Sequence, residues 1–251
     1  MKIIKLGGSL LDDSARRARA LAVIVDAWNR GEHVVLVHGG GKHVDAALAK
    51  LGIPKRTHAG LRITDDATLD VVVSVLAGTV NKMLVAELHA LGVRAAGISG
   101  CDGSTLKATP HEAIDGVELG HVGRVTGSNR LLVRALVHSG IMPVISTVAE
   151  GPNGTLLNVN ADSGAAAIAI AHGASMLHFI TDVPGLLDGS GSVVTRLTAR
   201  DAHELIAGGV IHGGMRPKLE AALNALASGV GSIAIGETID GEEGGTHLVA
   251  A

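Results

Sequence analysis

Aromatic side chains are almost missing. Trp28 and Phe179 are the whole set in 251 residues, and there is no tyrosine. A core built without rings has to be packed from Ala, Val, Leu and Ile, which brings helices close to a sheet. Cysteine occurs once, as Cys101. No intrachain disulfide can form, nothing points to an oxidising compartment, and a thiol with no supporting groups reads as structural. Neither sign of charge is in surplus: 21 Lys and Arg stand against 24 Asp and Glu, for a net charge of −3. Such a balance addresses no nucleic acid, and no lysine or arginine run addresses a membrane. Long apolar runs are also lacking. The opening run is cut by Lys5 and by Gly7-Gly8, too early for a signal peptide. No segment reads as approaching the ~20 apolar residues of a membrane helix. The expectation is a soluble cytoplasmic protein.

Familiar motifs are absent too. A phosphate loop of the Gly-x4-Gly-Lys-Ser/Thr type fails, because Gly41-Lys42 is followed by His43 and position 36 is Leu36. The first strand ends in adjacent glycines and not in Gly-x-Gly-x-x-Gly, and no Gly-x-Ser-x-Gly elbow follows a strand. The 13 histidines lie apart, so no metal ligand set is expected.

What the chain does have is apolar residues (47%) and glycine, 35 of 251. That glycine share is about twice the usual one. Ile3-Ile4 suits a buried strand, and Gly7-Gly8 removes every side chain where that strand opens. Backbone N–H groups exposed there form an anion cradle, with Lys5 just before it. Asp13 or Ser14 can cap a helix ended by Gly31, and residues 33–37 form a second buried strand. That strand runs into His38-Gly39-Gly40-Gly41 and a further helix closed by Gly52. His38 reads as structural. The plan of strand, glycine turn and helix thus occurs twice, and ligands are expected at the C-terminal strand ends.

Residues 53–63 read as a loop; Thr64 is the expected cap of a long helix over 65–91. A strand over 93–99 follows, then weak periodicity to 127 with a short β-excursion over 118–125. Ser128 is the expected cap of the next helix, and 141–148 form a strand. Pro152-Asn153-Gly154 is a hairpin turn, and a small-residue helix then runs to His172. Further strands are expected over 176–181, 232–235 and 246–249, with helices from Thr198 to Ala207 and from Pro217 to Ala227. Two lobes on one sheet would meet near residue 175. Lys218 follows the glycine joint Gly213-Gly214 and reads either as an ordinary surface lysine or as a second cation for the cradle. Asp162 reads either as a helix cap or as a buried carboxylate that orients two lysines.

These segments together resemble the amino acid kinase family. The resemblance rests on Lys5-Leu6-Gly7-Gly8-Ser9, His38-Gly39-Gly40-Gly41, Gly60-Leu61-Arg62-Ile63-Thr64, Asn81-Lys82, Gly120-His121-Val122-Gly123, Asn158-Val159-Asn160-Ala161-Asp162, Thr181-Asp182-Val183-Pro184-Gly185-Leu186 and Gly213-Gly214-Met215-Arg216-Pro217-Lys218. It covers nearly the whole chain, and their number and order make it specific.

The resemblance implies a three-layer αβα sandwich around a mainly parallel sheet, within one domain over 1–251. An N-lobe, about 1–174, would bind an acylated amino acid and form a homodimer; a C-lobe, about 175–251, would bind the nucleotide. By the same resemblance Lys5 and Lys218 neutralise the transferring phosphoryl group, Asp162 holds them, and Gly8 with Gly40-Gly41 donates backbone hydrogen bonds. Arg62 and Asn158 bind the α-carboxylate and amide region of the substrate. Gly7, Gly8 and Ser9, with Asp182, Val183, Gly185, Leu186, Leu187, Val210, Ile211, Gly213, Gly214, Met215 and Lys218, surround ATP. Magnesium is expected to be held by phosphates and water, with no protein ligand. The implied reaction is phosphorylation of the γ-carboxylate of N-acetyl-L-glutamate, with an aminoadipate-type acylated substrate or a non-catalytic metabolite sensor as alternatives. Family members inhibited by arginine carry an extra helix before the first strand. Its absence before residue 2 leads to the expectation of a dimer indifferent to arginine.

Overall fold

Adjacent residues of a strand point to opposite faces. Ile3 and Ile4 are both fully buried, so the opening strand must be covered on both sides. A computed structural model describes residues 1–209, 211, 214–237 and 245–249. Its elements are, in chain order, β1 (Lys2–Leu6), α1 (Gly8–Asp12), α2 (Ser14–Asn29), β2 (Val34–His38), α3 (Gly41–Lys50), β3 (Thr57–His58), β4 (Leu61–Arg62), α4 (Asp66–Val73), α5 (Asn81–Ala90), β5 (Ala95–Ser99), β6 (Lys107–Pro110), β7 (Val122–Gly127), α6 (Leu131–His138), β8 (Met142–Ser146), β9 (Val148–Glu150), β10 (Leu156–Val159), α7 (Ala161–His172), β11 (Met176–Ile180), β12 (Arg196–Thr198), α8 (Ala199–Ala207), α9 (Met215–Ala227), β13 (Ile233–Gly236) and β14 (Thr246–Val249).

The main sheet has eight strands in the order β12-β14-β13-β11-β1-β2-β8-β5. Only the β13–β14 pair is antiparallel. Helices cover both faces, as expected of an αβα sandwich. Ile3, Val37, Leu177 and Phe179 pack with Ala165 and Ala169 of α7 and with Leu219 and Ala222 of α9. Ile4, Leu6, Leu36 and Val144 pack with Leu21 and Ile24 of α2, Leu48 of α3, Val72 of α4 and Leu84 and Leu88 of α5. Strands β6, β7, β9 and β10 close into a small separate barrel. The hairpin turn at 152–154 joins β9 to β10 as expected.

Five local expectations are corrected. Asp65, not Thr64, caps α4: its Oδ1 accepts from the N–H of Thr68 at 2.9 Å. α6 begins at Leu131, and Asn129 rather than Ser128 takes its first N–H, at 3.0 Å. The loop at 53–63 contains the hairpin β3–β4, turned by Ala59 and Gly60 at φ 48° and 79°. The strands β6 and β12 were too short to show a period. Last, the helix spanning Asp66–Ala90, with wider turns over Ser74–Val80, is long and apolar enough by length and composition to cross a membrane. Here its Leu76, Val80, Leu84 and Leu88 belong to the core.

His38 and His178 are 0% and 2% exposed. Burial holds each ring at a pKa of about 4, below the ordinary 6.5. The unfolded chain therefore binds more protons than the folded one between those values, and stability falls as pH drops through that window. Full protonation should cost about 3 kcal/mol per histidine, following the linkage of shift to free energy. Urea midpoints measured from pH 7 to pH 4 check this; a flat profile would contradict it.

Candidate active site

β1 and β2 are parallel neighbours with Leu6 opposite His38, so their glycine turns open side by side. Gly7 lies against β11: its N–H donates to the Ile180 carbonyl at 2.8 Å, and a Cβ there would stand 2.9 Å from that oxygen. A Cβ on Gly40 would meet Leu76 at 2.9 Å. α1 begins at Gly8 and α3 at Gly41, and no side chain caps either start. The first N–H groups of both helices are therefore not taken by a capping side chain, which suits an anion.

Lys5 shares a sheet face with its register partners Val37 and Phe179. Asn160 caps α7, its Oδ1 accepting from the N–H groups of Asp162 and Ser163 at 2.9 and 3.1 Å. That places Asp162 in the first helical turn and corrects the reading of it as the cap. One Asp162 oxygen, Oδ1, meets Lys5 Nζ at 2.9 Å and Lys218 Nζ at 3.1 Å. Lys5, Asp162 and Lys218 are 6%, 7% and 5% exposed, which rules out the surface-lysine reading. Lys218 Nζ also stands 5.3 Å from the centre of the Phe179 ring, within cation–π range.

Burial opposes ionisation of Asp162, but attraction to Lys5 and Lys218 outweighs it and holds the carboxyl below its ordinary value. Lys218 is pushed down to about 8, chiefly by burial and then by repulsion from Lys5. Two buried ammonium groups share one carboxylate. The surplus positive charge favours an incoming anion.

A cavity of about 240 Å³ adjoins this group, lined by Lys5, Gly8, Gly40, Gly41, Arg62, Asn158 and Asp162. It unites the expected catalytic and substrate-binding positions, with Lys218 reaching it through Asp162. A larger groove, about 720 Å³, lies between β7, α7 and α9, but contains none of Lys5, Asp162 and Lys218. Lys5 and Asp162 line the smaller one.

Arg62 Nη1 lies 2.5 Å from Asp45 Oδ1, and its Nη2 donates to the Gly41 carbonyl at 3.1 Å. Asp45 also pairs with Lys55 at 2.8 Å. A guanidinium held this way offers a planar fork to a carboxylate that lysine cannot copy. Arg62→Lys is expected to raise the substrate KM at least about tenfold while moving the nucleotide KM little. Steady-state kinetics on both substrates would show it, and an unchanged substrate KM would remove Arg62 from this role.

Of the expected nucleotide positions, Gly8 lines this cavity and Gly7 and Ser9 flank it after β1, while the described ones from Asp182 to Met215 lie outside it, past the end of β11. A Cβ on Gly7 would stand 3.4 Å from Thr181 Cα, so the first glycine turn touches the start of that loop. A Cβ on Gly185 would crowd Thr246 Oγ1 and Val193 at 2.8 Å. The Leu186 N–H donates to Thr246 Oγ1 at 2.7 Å, while its side chain and that of Ile211 are core. Neither side chain is free for a ligand, and the Leu186 N–H is already taken. Val183 and Met215 are half-buried, and Leu187 and Gly214 are exposed. Val210 and Gly213 lie outside the described residues. The sequence reading missed Val44, Val72, Leu76 and Thr147, which also line the cavity. They carry no signal beyond apolarity or a hydroxyl.

Comparison with known proteins gives the family and the fold. The chain is 44% identical to an acetylglutamate kinase of Solibacter usitatus over 99% of both chains. It is 43% identical to an acetylglutamate kinase of Geobacillus kaustophilus, over 98% of this chain and 93% of that one. Among solved structures, smu.665 from Streptococcus mutans superposes with a TM-score of 0.88 at 29% identity, covering 100% of this chain and 98% of that one. A carbamate kinase of Giardia shares the fold, with a TM-score of 0.73 at 14% identity over 100% and 98% of the two chains. The description of the amino acid kinase family matches residues 1–237, and the chain belongs to that family.

Proposed function

We propose that the chain transfers the γ-phosphoryl group of ATP to the γ-carboxylate of N-acetyl-L-glutamate, giving N-acetyl-L-glutamyl 5-phosphate and ADP, a step of arginine biosynthesis. The observation that carries this reading is the buried Lys5–Asp162–Lys218 group beside a cavity that holds Arg62 and Asn158. The names of relatives at 43–44% identity support the choice of substrate.

The inventory suits the reaction. A γ-carboxylate is already ionised at neutral pH, its pKa being about 4.3, so no general base is needed. A carboxylate oxygen forms the new bond to phosphorus while the bond to the β,γ-bridging oxygen breaks. The demand on the protein is to align two anions and cover the charge that develops between them. Lys5 and Lys218 supply that cover, Asp162 fixes their positions, and the N–H groups at Gly8 and Gly40-Gly41 add donors. Arg62 takes the α-carboxylate and Asn158 the acylated nitrogen.

Magnesium accompanying ATP would be held by phosphates and water. The one carboxylate lining the cavity is engaged by both lysines, and the described residues form no group of three metal-ligating side chains. The nucleotide belongs, on this reading, to the C-lobe from about 175 onward, bounded by Gly7, Ser9, Asp182, Gly185, Leu187, Gly214 and Met215. The N-lobe forms a homodimer, to be read by light scattering.

N-acetyl-L-glutamate is expected to be turned over at least about tenfold faster than free L-glutamate at equal concentration. A free ammonium would enter beside Lys5, Lys218 and Arg62 as a like charge. A hydroxamate assay over a panel of acylated amino acids tests this. Faster turnover of free glutamate, or of an aminoadipate derivative, would overturn the substrate choice.

A further inference from the structure

Thr64 caps nothing, yet it is completely buried. Its hydroxyl donates to the Arg62 carbonyl at 2.8 Å, which uses its single proton. The same oxygen receives the side-chain amide of Asn158, at 3.2 Å. With the hydroxyl proton already committed, the Asn158 atom facing Thr64 has to be the donor, Nδ2. This settles which way the amide lies. Its oxygen, Oδ1, accepts no hydrogen bond among the described residues, although Asn158 lines the cavity.

The backbone around Thr64 is fixed as firmly. Its N–H donates to the Leu119 carbonyl at 3.0 Å, and its own carbonyl accepts from the N–H of His121 at 2.7 Å. The His121 carbonyl in turn accepts from the N–H of Asn158 at 2.8 Å. Gly120 makes this approach possible: at φ 65°, a Cβ there would stand 2.3 Å from the Thr64 carbonyl oxygen. One buried residue thus ties the segment after the Arg62 hairpin to the strand that carries Asn158.

The geometry points to Thr64 as a positioning residue that sets the polarity of the substrate pocket, holding Asn158 so that an acceptor oxygen, and not an amide N–H, faces the ligand. This rests on the reading of Asn158 as a substrate ligand. The pocket is then built for a ligand that brings an N–H donor at this point, as a secondary amide does. An ester of the same shape brings an oxygen instead and leaves two acceptors in contact. A buried group left unpaired this way discriminates strongly.

The test compares N-acetyl-L-glutamate with its ester isostere, 2-acetoxyglutarate, in the wild-type protein, Thr64→Ser and Thr64→Val. Wild type should favour the amide over the ester by about 10²-fold in kcat/KM. Thr64→Ser keeps the hydroxyl and should keep that ratio. Thr64→Val frees the Asn158 amide to turn, and the ratio should fall by about tenfold, with the loss for the amide substrate carried mainly by KM. Thermal unfolding of the variants accompanies the kinetics. An unchanged ratio in folded Thr64→Val would overturn the proposal.

Should Thr64→Val not fold, the wild-type protein labelled with ¹³C and ¹⁵N decides. N-acetyl-L-glutamate should shift the Asn158 side-chain carbonyl and leave its NH₂ pair in place. The opposite pattern would overturn the proposal. A wild-type protein that turns over neither compound would refute the proposed function, and the Asn158 NH₂ pair, slow to exchange in the free protein, would still report on the Thr64 contact.

Discussion

Lys5→Ala and Lys218→Ala are each expected to lower kcat by about 10²–10³, the typical cost of removing one preorganised donor from a developing charge. The two ammonium groups lie on one carboxylate oxygen, at 2.9 and 3.1 Å, and come from β1 and α9. Both act on one phosphoryl group, so the double variant should lose less than the product of the single losses. Asp162→Ala belongs to the same set. It removes the shared anion and leaves two buried cations repelling each other, so it should lose activity on a similar scale and also stability. Lys218→Arg is a useful companion, since a guanidinium keeps its charge where the Lys218 ammonium titrates at about 8. Single-turnover kinetics on folded protein measure all five. A folded Lys218→Ala with wild-type turnover would leave the kinase reading without its second cation and favour a metabolite sensor.

Asn81→Ala is expected to cost at least about 3 kcal/mol of stability, because each buried partner left unsatisfied costs roughly 1–3 kcal/mol. Asn81 is fully buried, and its Nδ2 contacts His38 Nε2 at 3.0 Å and the Val144 carbonyl at 2.9 Å. Burial keeps His38 neutral. With Nε2 accepting from Asn81, its Nδ1 carries the proton and donates to the Gly39 carbonyl at 2.9 Å. The network therefore fixes the start of the second glycine turn, and the substrate KM should rise with the loss of stability. The strand opposite allows no alternative: a Cβ on Gly97 would stand 1.8 Å from Asn81 Oδ1. Urea denaturation and substrate titration together check this. A loss below about 1 kcal/mol, the worth of one ordinary hydrogen bond, would contradict it.

Much of this molecule was legible in the order of its residues. β1 and β2 each pair a buried apolar run with glycines, and that local pattern is enough to place two backbone cradles at neighbouring strand ends. Helix ends marked by glycine, such as Gly31 and Gly92 with positive φ, were equally plain. Local pattern failed where the decision was tertiary. Thr64 and Asp65 are both good caps, and only the packing of Thr64 against Leu119, His121 and Asn158 assigns the role to Asp65. The roles of Lys5, Asp162 and Lys218 came from resemblance, since no spacing relates positions that far apart. Phe179 enters the sequence reading only as one of two aromatics, and the fold sets it beside Lys5 and under Lys218.

The place of β1 has a consequence for biogenesis. This first strand is hydrogen-bonded on one side to β2 and on the other to β11, so its outer partner begins at Met176. Ribosomes add about 5–20 residues per second, so roughly 9 seconds or more pass between synthesis of Lys5 and synthesis of Met176. Through that interval the apolar edge Lys2–Leu6 has one neighbour at most, and its unpaired side is a template for wrong pairing. A nascent chain stalled before residue 176 should therefore expose a β-edge that chaperones bind, and release from them should coincide with the emergence of β11.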